Sequence, residues 1–215
     1  MDGDVKPVRG SGTAAPQART RRTKASVVDA ARRLFDQRGY AATTVEAISE
    51  QSDTPQPTIY RLFASKLGIL KAVIDVAIVG DDEDVAMADR PLVQALLADP
   101  NPVQQIAGFA ALLRDLMART APVHRLLADA ARSDADAAAL LAEIARQRQE
   151  GQRRVARSLA RSGELRANVR ERDAADIIHA LASPEVYGLL VLDRGWSGER
   201  YERWMADTLR QQLLP

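Results

Sequence analysis

Apolar residues recur at helical spacing along most of this chain. In the first such stretch, Val27, Ala31, Leu34 and Phe35 fall at positions i, i+4, i+7 and i+8, which predicts an amphipathic helix that ends at Gly39. Aromatic residues make up only 4% of the chain and no β-branched alternation persists, so we expect no strands. The pattern predicts an all-α fold, with later helices over residues 103–118, 122–131, 134–162, 172–192 and 197–213.

A second, short helix is predicted directly after the first. Thr43 and Glu46 have the spacing of a capping box, and the apolar residues Val45 and Ile48 follow the same start. We therefore expect Thr43 to cap a helix that ends near Gln51.

The third predicted helix is apolar on one side and polar on the other. Thr54 is its expected cap, with Pro55 at the first helical position, where a missing backbone N–H costs no hydrogen bond. Ile59, Leu62 and Phe63 form the predicted inner side. The residues left to face outward or sideways are Gln56, Thr58, Tyr60 and Arg61.

Two short helices joined by a tight turn are typical of a helix-turn-helix, whose second helix enters the major groove of DNA. Gln binds adenine through two hydrogen bonds, Thr contacts bases or a thymine methyl, and Arg reaches guanine or phosphate. Thr44 and Lys66 lie at predicted helix N-termini, which favour an anion. The predicted DNA-binding residues are Thr43, Thr44, Thr54, Gln56, Pro57, Thr58, Tyr60, Arg61 and Lys66.

Charge is distributed unevenly along the chain although the formal net charge is only +1. Residues 1–80 hold 12 Lys or Arg against 8 Asp or Glu, and the other 135 residues hold 18 against 21. A basic front and an acidic body suit a protein that meets phosphate at one end.

Several kinds of chemistry are excluded by residues that the sequence lacks. There is no Cys, there are two isolated His, and no Gly-rich phosphate loop or spaced metal motif occurs, so we expect no enzyme, no cofactor and no metal. The four acids at 81–84 are interpreted as a solvated linker, because consecutive acids lack the convergent geometry of a metal site. Neither a signal peptide nor a run of about 18 apolar residues is present, which predicts a cytoplasmic protein without a membrane contact.

These observations divide the chain into three parts. Residues 1–20 are predicted to be a flexible tail with a basic cluster at its end, residues 21–80 a helix-turn-helix DNA-binding domain, and residues 81–215 a larger helical body. The acidic, Pro-containing stretch from Gly80 to about Pro102 is a predicted connection with one short helix near Val93.

The N-terminal sequence resembles the DNA-binding domain of the TetR family. The resemblance covers about residues 21–75 and rests on Ala30-Ala31-Arg32-Arg33-Leu34-Phe35, Gly39-Tyr40, Ala42-Thr43-Thr44-Val45, Ile48, Thr58-Ile59-Tyr60-Arg61-Leu62-Phe63 and Ser65-Lys66. It implies a three-helix domain joined by a fourth helix to a helical ligand-binding and dimerisation domain over residues 81–215, about nine helices in all. It places phosphate contacts on Thr44, Tyr60 and Lys66 and base contacts on Gln56, Thr58 and their neighbours.

The sequence departs from the family pattern at three positions. Asp53 stands where the family usually has Gly, Thr54 where it has an aliphatic residue, and Pro57 where it has Gly or a polar residue. Asp53 can adopt a left-handed turn at some energetic cost, whereas Pro57 removes a backbone donor. The stretches 80–83 and 193–196 resemble an actinobacterial subgroup of these regulators.

The resemblance implies a ligand-responsive transcriptional regulator, most commonly a repressor, that binds a palindromic operator as a homodimer. The alternative is a helix-turn-helix regulator without a small ligand that is controlled by, or acts through, a protein partner. A repressor of the first kind needs double-stranded operator DNA and a small, mostly apolar effector as partners.

Candidate effector and dimer residues lie in the body. Ser183 and Pro184 predict that the helix over 172–192 breaks and restarts. The effector candidates, for which membership of the core is the alternative, are Phe109, Leu113, Met117, His124, His179 and Tyr187. The dimer candidates, which follow the helical stripes of the last two long helices, are Ile178, Leu181, Val186, Leu189, Tyr201, Trp204, Met205 and Leu209.

Overall fold

Helices and their connections make up the part of the chain that the computed structural model describes, residues 14–80 and 89–215. Within these residues there is no strand, and the predicted all-α fold is confirmed. The helices are α1 (Ala14–Ala42), α2 (Val45–Ser52), α3 (Gln56–Phe63), α4 (Lys66–Val79), α5 (Pro91–Ala98), α6 (Pro102–Ala130), α7 (Ala135–Arg161), α8 (Glu171–Leu181), α9 (Pro184–Tyr187), which continues as a π-helical segment (Gly188–Asp193), and α10 (Gly198–Leu213).

Two hydrophobic cores are joined by the long helix α6. The N-terminal core is built from α1 to α4 and includes Phe35, Ile48, Ile59 and Leu70, together with Leu127 near the end of α6. The body core is built from α5 to α10 and includes the earlier apolar positions of α6. One helix therefore contributes side chains to both cores.

α6 is longer than the sequence predicted. Two helices separated near residues 118–122 were expected, but Pro102–Ala130 is one helix with Pro122 in its interior. An interior proline removes one hydrogen bond of the helix. Ala121 and Val123 are both buried, one in each core, so the packing on either side of Pro122 offsets that loss.

α1 begins earlier than expected and bends where expected. Residues 14–20, predicted to belong to a flexible tail, are helical, and residues 1–13 of that tail lie outside the described residues. Gly39 has a φ of 76°, which turns the chain away from the helix axis as the predicted stop requires.

The predicted linker is helical over Pro91–Ala98, which includes Val93, whereas the acids at 81–84 are not described.

The helix over 172–192 is broken at the predicted place. The hydroxyl of Ser183 accepts a hydrogen bond from the backbone N–H of Val186 at 3.2 Å, and Pro184 begins α9.

The stretch Glu171–Asp193 is long and apolar enough to cross a membrane by length and composition alone. Its residues Ile178, Ala182 and Tyr187 are nevertheless buried in the body core, as expected for a core helix.

Candidate nucleic-acid interface

The N-terminus of α2 is set by Thr44 and not by Thr43. The side-chain oxygen of Thr44 accepts a hydrogen bond from the backbone N–H of Ala47 at 3.1 Å. Thr43 is fully buried and donates its hydroxyl proton to the carbonyl oxygen of Gly39 at 2.8 Å. The predicted capping-box register was therefore wrong by one residue, because Thr43 instead fastens α2 to the end of α1.

The turn between α2 and α3 is closed by a residue in the left-handed region. Asp53 has φ 49° and ψ 38°, the conformation expected where the family usually has Gly. Thr54 is buried and donates its hydroxyl proton to the carbonyl oxygen of Ser52 at 3.2 Å, while its own carbonyl accepts from the Ser49 hydroxyl at 2.7 Å. Thr54 thus stabilises the turn.

α3 starts one residue later than predicted. The expected cap by Thr54 was wrong, since Pro55 is the cap residue and its carbonyl accepts the backbone N–H groups of Thr58 at 2.9 Å and Ile59 at 3.1 Å. Pro57 is the second residue of the helix, so its lack of an N–H breaks no bond of the helix.

α3 has the two sides that a recognition helix needs. Ile59 is buried in the N-terminal core and fixes the inner side. Tyr60 is 49% exposed, and Thr58 is half-buried at the edge of the outer side. The other predicted contact residues of α3 are exposed, namely Gln56, Pro57 and Arg61.

The side chain of Lys66 is directed into the domain. Its ammonium donates hydrogen bonds to the carbonyl oxygens of Tyr40 at 2.9 Å and Thr43 at 3.0 Å, and lies 4.3 Å from the centre of the Tyr40 ring. Partial burial lowers the pKa of Lys66. The ammonium therefore links α4 to the end of α1, a role that the sequence analysis did not predict.

The connection between α3 and α4 is tight. Ala64 closes α3 with a φ of 63°, and Ser65 caps α4 by accepting a hydrogen bond from the backbone N–H of Gly68 at 3.0 Å. A Cβ atom at Gly68 would overlap the carbonyl oxygen of Phe63. These contacts fix the angle between α3 and α4, and the sequence analysis missed both Ala64 and Gly68.

The predicted effector residues fall into two groups. Phe109, Leu113, Met117 and Tyr187 are all buried in the body core. The two histidines lie outside that cluster, each beside a polar side chain: His179 Nδ1 is 2.8 Å from Gln152 Oε1, and His124 Nε2 is 3.7 Å from Glu185 Oε1.

Tyr201 in the body core has a polar atom that the sequence analysis did not single out. The residue is fully buried, and its hydroxyl has no hydrogen-bond partner among the described residues. Burial raises its pKa, and its ring packs edge-on against Tyr187 at 4.8 Å between centroids. The unsatisfied hydroxyl marks an apolar region that can take a hydrogen-bond acceptor.

The predicted dimer residues are divided between the interior and the surface. Leu181, Val186 and Trp204 are half-buried. Leu189 is 59% exposed, and Leu192, which was not predicted, is 41% exposed. The others are fully buried in the core of this chain: Ile178, Tyr201, Met205 and Leu209.

The sequence matches known regulatory proteins in its N-terminal part. Residues 27–73 match the model of the family described as bacterial regulatory proteins, tetR family. The uncharacterized HTH-type transcriptional regulator YvkB of Bacillus subtilis (strain 168) is 37% identical over 54 residues, which are 25% of this chain and 29% of that protein. The matched region thus spans less than a third of this curated relative.

Solved structures share the fold along almost the whole chain. SmeT in complex with triclosan matches with a TM-score of 0.69 and 20% identity, over 90% of this chain and 92% of that one. SmeT is the repressor of the Stenotrophomonas maltophilia multidrug efflux pump SmeDEF. NalD, the secondary repressor of the MexAB-OprM multidrug efflux pump in Pseudomonas aeruginosa, matches with a TM-score of 0.66 and 15% identity, over 91% of this chain and 98% of that one.

The N-terminal helices therefore match the tetR family of bacterial regulatory proteins in sequence over residues 27–73, and the chain as a whole has the fold of SmeT and NalD.

Proposed function

We propose that this chain is a transcriptional regulator that binds operator DNA by inserting α3 into the major groove. The observation that carries the proposal is the exposed polar side of α3, with Gln56, Tyr60 and Arg61 free of the domain while Ile59 is fixed in the core beneath them. An anchored helix that presents amide, hydroxyl and guanidinium groups can hydrogen-bond to base edges and phosphates.

Each exposed residue has a proposed role. Gln56 and Thr58 contact bases, Arg61 contacts guanine or phosphate, and the hydroxyl of Tyr60 donates to a phosphate. Thr44 and Lys66 contribute mainly through the free backbone N–H groups at the N-termini of α2 and α4. Thr43 and Thr54 are buried and take no part in the proposed contact, and Pro57 offers only apolar surface.

We infer that the protein acts as a homodimer on a palindromic operator in the cytoplasm. The exposed apolar residues Leu189 and Leu192, on the π-helical segment that follows α9, provide a surface for a second copy. A two-fold dimer places two copies of α3 in major grooves about one helical turn or more apart. Repression and release by a small effector are the modes suggested by the fold neighbours SmeT and NalD.

Selection from sheared genomic DNA tests the proposal. Arg61→Gln and Arg154→Gln each remove one exposed arginine, but only the first is on α3. We expect the wild type and Arg154→Gln to enrich the same palindromic fragments, and Arg61→Gln to lose at least about tenfold in enrichment, because one good base contact contributes about that much discrimination. Equal enrichment by all three proteins, or none by the wild type, would contradict the proposal.

A further inference from the structure

Five polar side chains form a layer across the body where α8 breaks into α9. They come from four helices, α6, α7, α8 and α9. Their contacts therefore connect helices whose relative positions change if α9 moves against α6 and α7. We call these residues the polar layer: His124 on α6, Arg148 and Gln152 on α7, His179 on α8 and Glu185 on α9.

One half of the polar layer is held by short hydrogen bonds to Gln152. The buried amide of Gln152 donates from Nε2 to the carbonyl oxygen of Ala182 at 2.9 Å, and its Oε1 lies 2.8 Å from His179 Nδ1. Gln152 therefore holds the end of α8 in place.

The other half is held only loosely. His124 Nε2 and Arg148 Nη1 each lie 3.7 Å from a carboxylate oxygen of Glu185, beyond the 2.7–2.9 Å or so of a charge-assisted hydrogen bond. Arg148 Nη1 is shielded from solvent and has no hydrogen-bond partner within the described parts of the chain. A buried guanidinium nitrogen without a partner is an unusual, costly arrangement.

The three side chains differ sharply in exposure. The side chains of His124 and Arg148 are 16% and 20% exposed, whereas that of Glu185 is 61% exposed. Two largely buried nitrogen atoms thus face a position that solvent reaches and that the more exposed Glu185 carboxylate now occupies.

We propose that this half of the polar layer binds the carboxylate of an organic anion, which takes the place of the Glu185 carboxylate. The guanidinium fork of Arg148 suits a carboxylate, and His124 Nε2 supplies a further donor. The apolar part of the anion packs toward Met117, Ala121 and Tyr187, since the first two precede His124 on α6 and all three belong to the body core. The inference rests on the proposed regulatory function and defines the effector as an apolar molecule with one carboxylate.

Binding at this position also gives a route to the DNA-binding domain. α6 carries His124 and packs against α1 and α4, while Glu185 lies in the first turn of α9. Replacing Glu185 with a ligand carboxylate breaks the ion pairs that connect α9 to His124 on α6 and to Arg148 on α7. The ligand therefore changes the packing of the helix that both cores share.

Calorimetric titration of the full chain with sodium octanoate and with 1-octanol tests this site, because the two probes differ mainly in the carboxylate. We expect the wild type to bind octanoate at least about tenfold more tightly than octanol, and Arg148→Gln to lose this preference, since a charge-assisted hydrogen bond contributes at least that much. Glu185→Gln should bind octanoate several-fold more tightly than the wild type, because the competing carboxylate is gone. Arg154→Gln, an exposed arginine on the same helix, is the matched control and should bind as the wild type does.

The direction in which Glu185→Gln changes the affinity for octanoate is the most decisive result of this test. This exposed, isosteric change keeps the fold, whereas Arg148→Gln is checked by its thermal unfolding. Equal binding of octanoate and octanol by the wild type, or octanoate binding that Glu185→Gln weakens or leaves unchanged, overturns the inference. The titrations contain no DNA, so this failure is separate from a failure of the proposed function, which genomic selection reports.

Discussion

Lys66 has a structural role in the fold in addition to the phosphate contact that its sequence position predicts. Its position at the start of α4 suggested a phosphate contact, but its ammonium is hydrogen-bonded to the carbonyl oxygens of Tyr40 and Thr43. These carbonyls follow the bend of α1 at Gly39, where the chain no longer satisfies them within a helix. The side chain therefore acts chiefly as a structural link.

Lys66→Met should accordingly destabilise the protein. The variant keeps most of the aliphatic stem but loses the charged donor, so we expect the free energy of unfolding in urea to fall by about 1–2 kcal/mol. Lys71→Met is the control, because Lys71 makes only an exposed pair with Asp75 on the surface of α4 and should change the free energy by less than about 0.5 kcal/mol. Equal losses for the two variants would contradict the structural role.

Ala64 provides a second prediction at this scale. A side chain at a φ of 63° is strained by roughly 1–2 kcal/mol, so Ala64→Gly should raise the free energy of unfolding by about 1 kcal/mol. Ala142→Gly, at an exposed position inside α7, should lower it by about the same amount. The two changes are chemically identical, and urea unfolding curves in which both variants lose stability would show that Ala64 is not strained.

The sequence predicted some of these residue-level features and missed others for a physical reason. The left-handed turn at Asp53 follows from the turn between two short helices and was expected. Thr43 and Thr44 both fit a helix cap, and the choice between them depends on the carbonyl of Gly39, which only the folded α1 brings within reach. Contacts between helices decide which threonine caps α2, and the local sequence pattern carries no information about those contacts.

At the scale of elements, α6 shows how packing overrides a local signal. Pro122 favours a break, and the sequence analysis placed one there. The helix continues because its residues on both sides of the proline are buried in different cores. In contrast, Pro184 has the hydroxyl of Ser183 in front of it as a cap, and there the break was correctly predicted.

The junction of α3 and α4 gives a prediction for elements. Gly68→Ala places a Cβ atom against the Phe63 carbonyl oxygen, so α3 must shift relative to α4, and we expect a loss of about 2–3 kcal/mol in the free energy of unfolding. Gly151→Ala in α7 meets no described atom within 4 Å and should instead stabilise the protein by up to about 1 kcal/mol. Urea unfolding curves in which both variants change the free energy of unfolding in the same direction would contradict the close contact between Gly68 and the Phe63 carbonyl.

At the scale of the whole molecule, the sequence analysis did not separate the side chains of the last helices that face the body core from those that face solvent. The stripe containing Tyr201, Met205 and Leu209 is fully used by the protomer's own core, whereas Leu189 and Leu192 remain exposed. An apolar stripe looks the same whether it covers the body or a second copy. The exposed fraction of each side chain separates the two uses.

Leu189→Glu should therefore weaken the proposed dimer. A carboxylate placed in an apolar contact is expected to raise the dimer dissociation constant at least about 30-fold, as measured by light scattering on a size-exclusion column over a dilution series. Leu92→Glu, at an exposed position on α5, is the control and should leave the mass unchanged. A dimer that survives Leu189→Glu with unchanged affinity would place the contact on another surface.

The most direct test of the account is the salt dependence of binding to a selected operator and to a scrambled duplex of the same length. For the wild type we expect at least about a thousandfold preference for the operator, with an affinity that falls steeply as salt rises. The double variant Gln56→Ala, Arg61→Ala should keep weak, salt-dependent binding to both duplexes but lose most of the preference. A double variant that discriminates as well as the wild type, or a wild type that binds no duplex at low ionic strength, would contradict the assignment of α3 as the recognition helix.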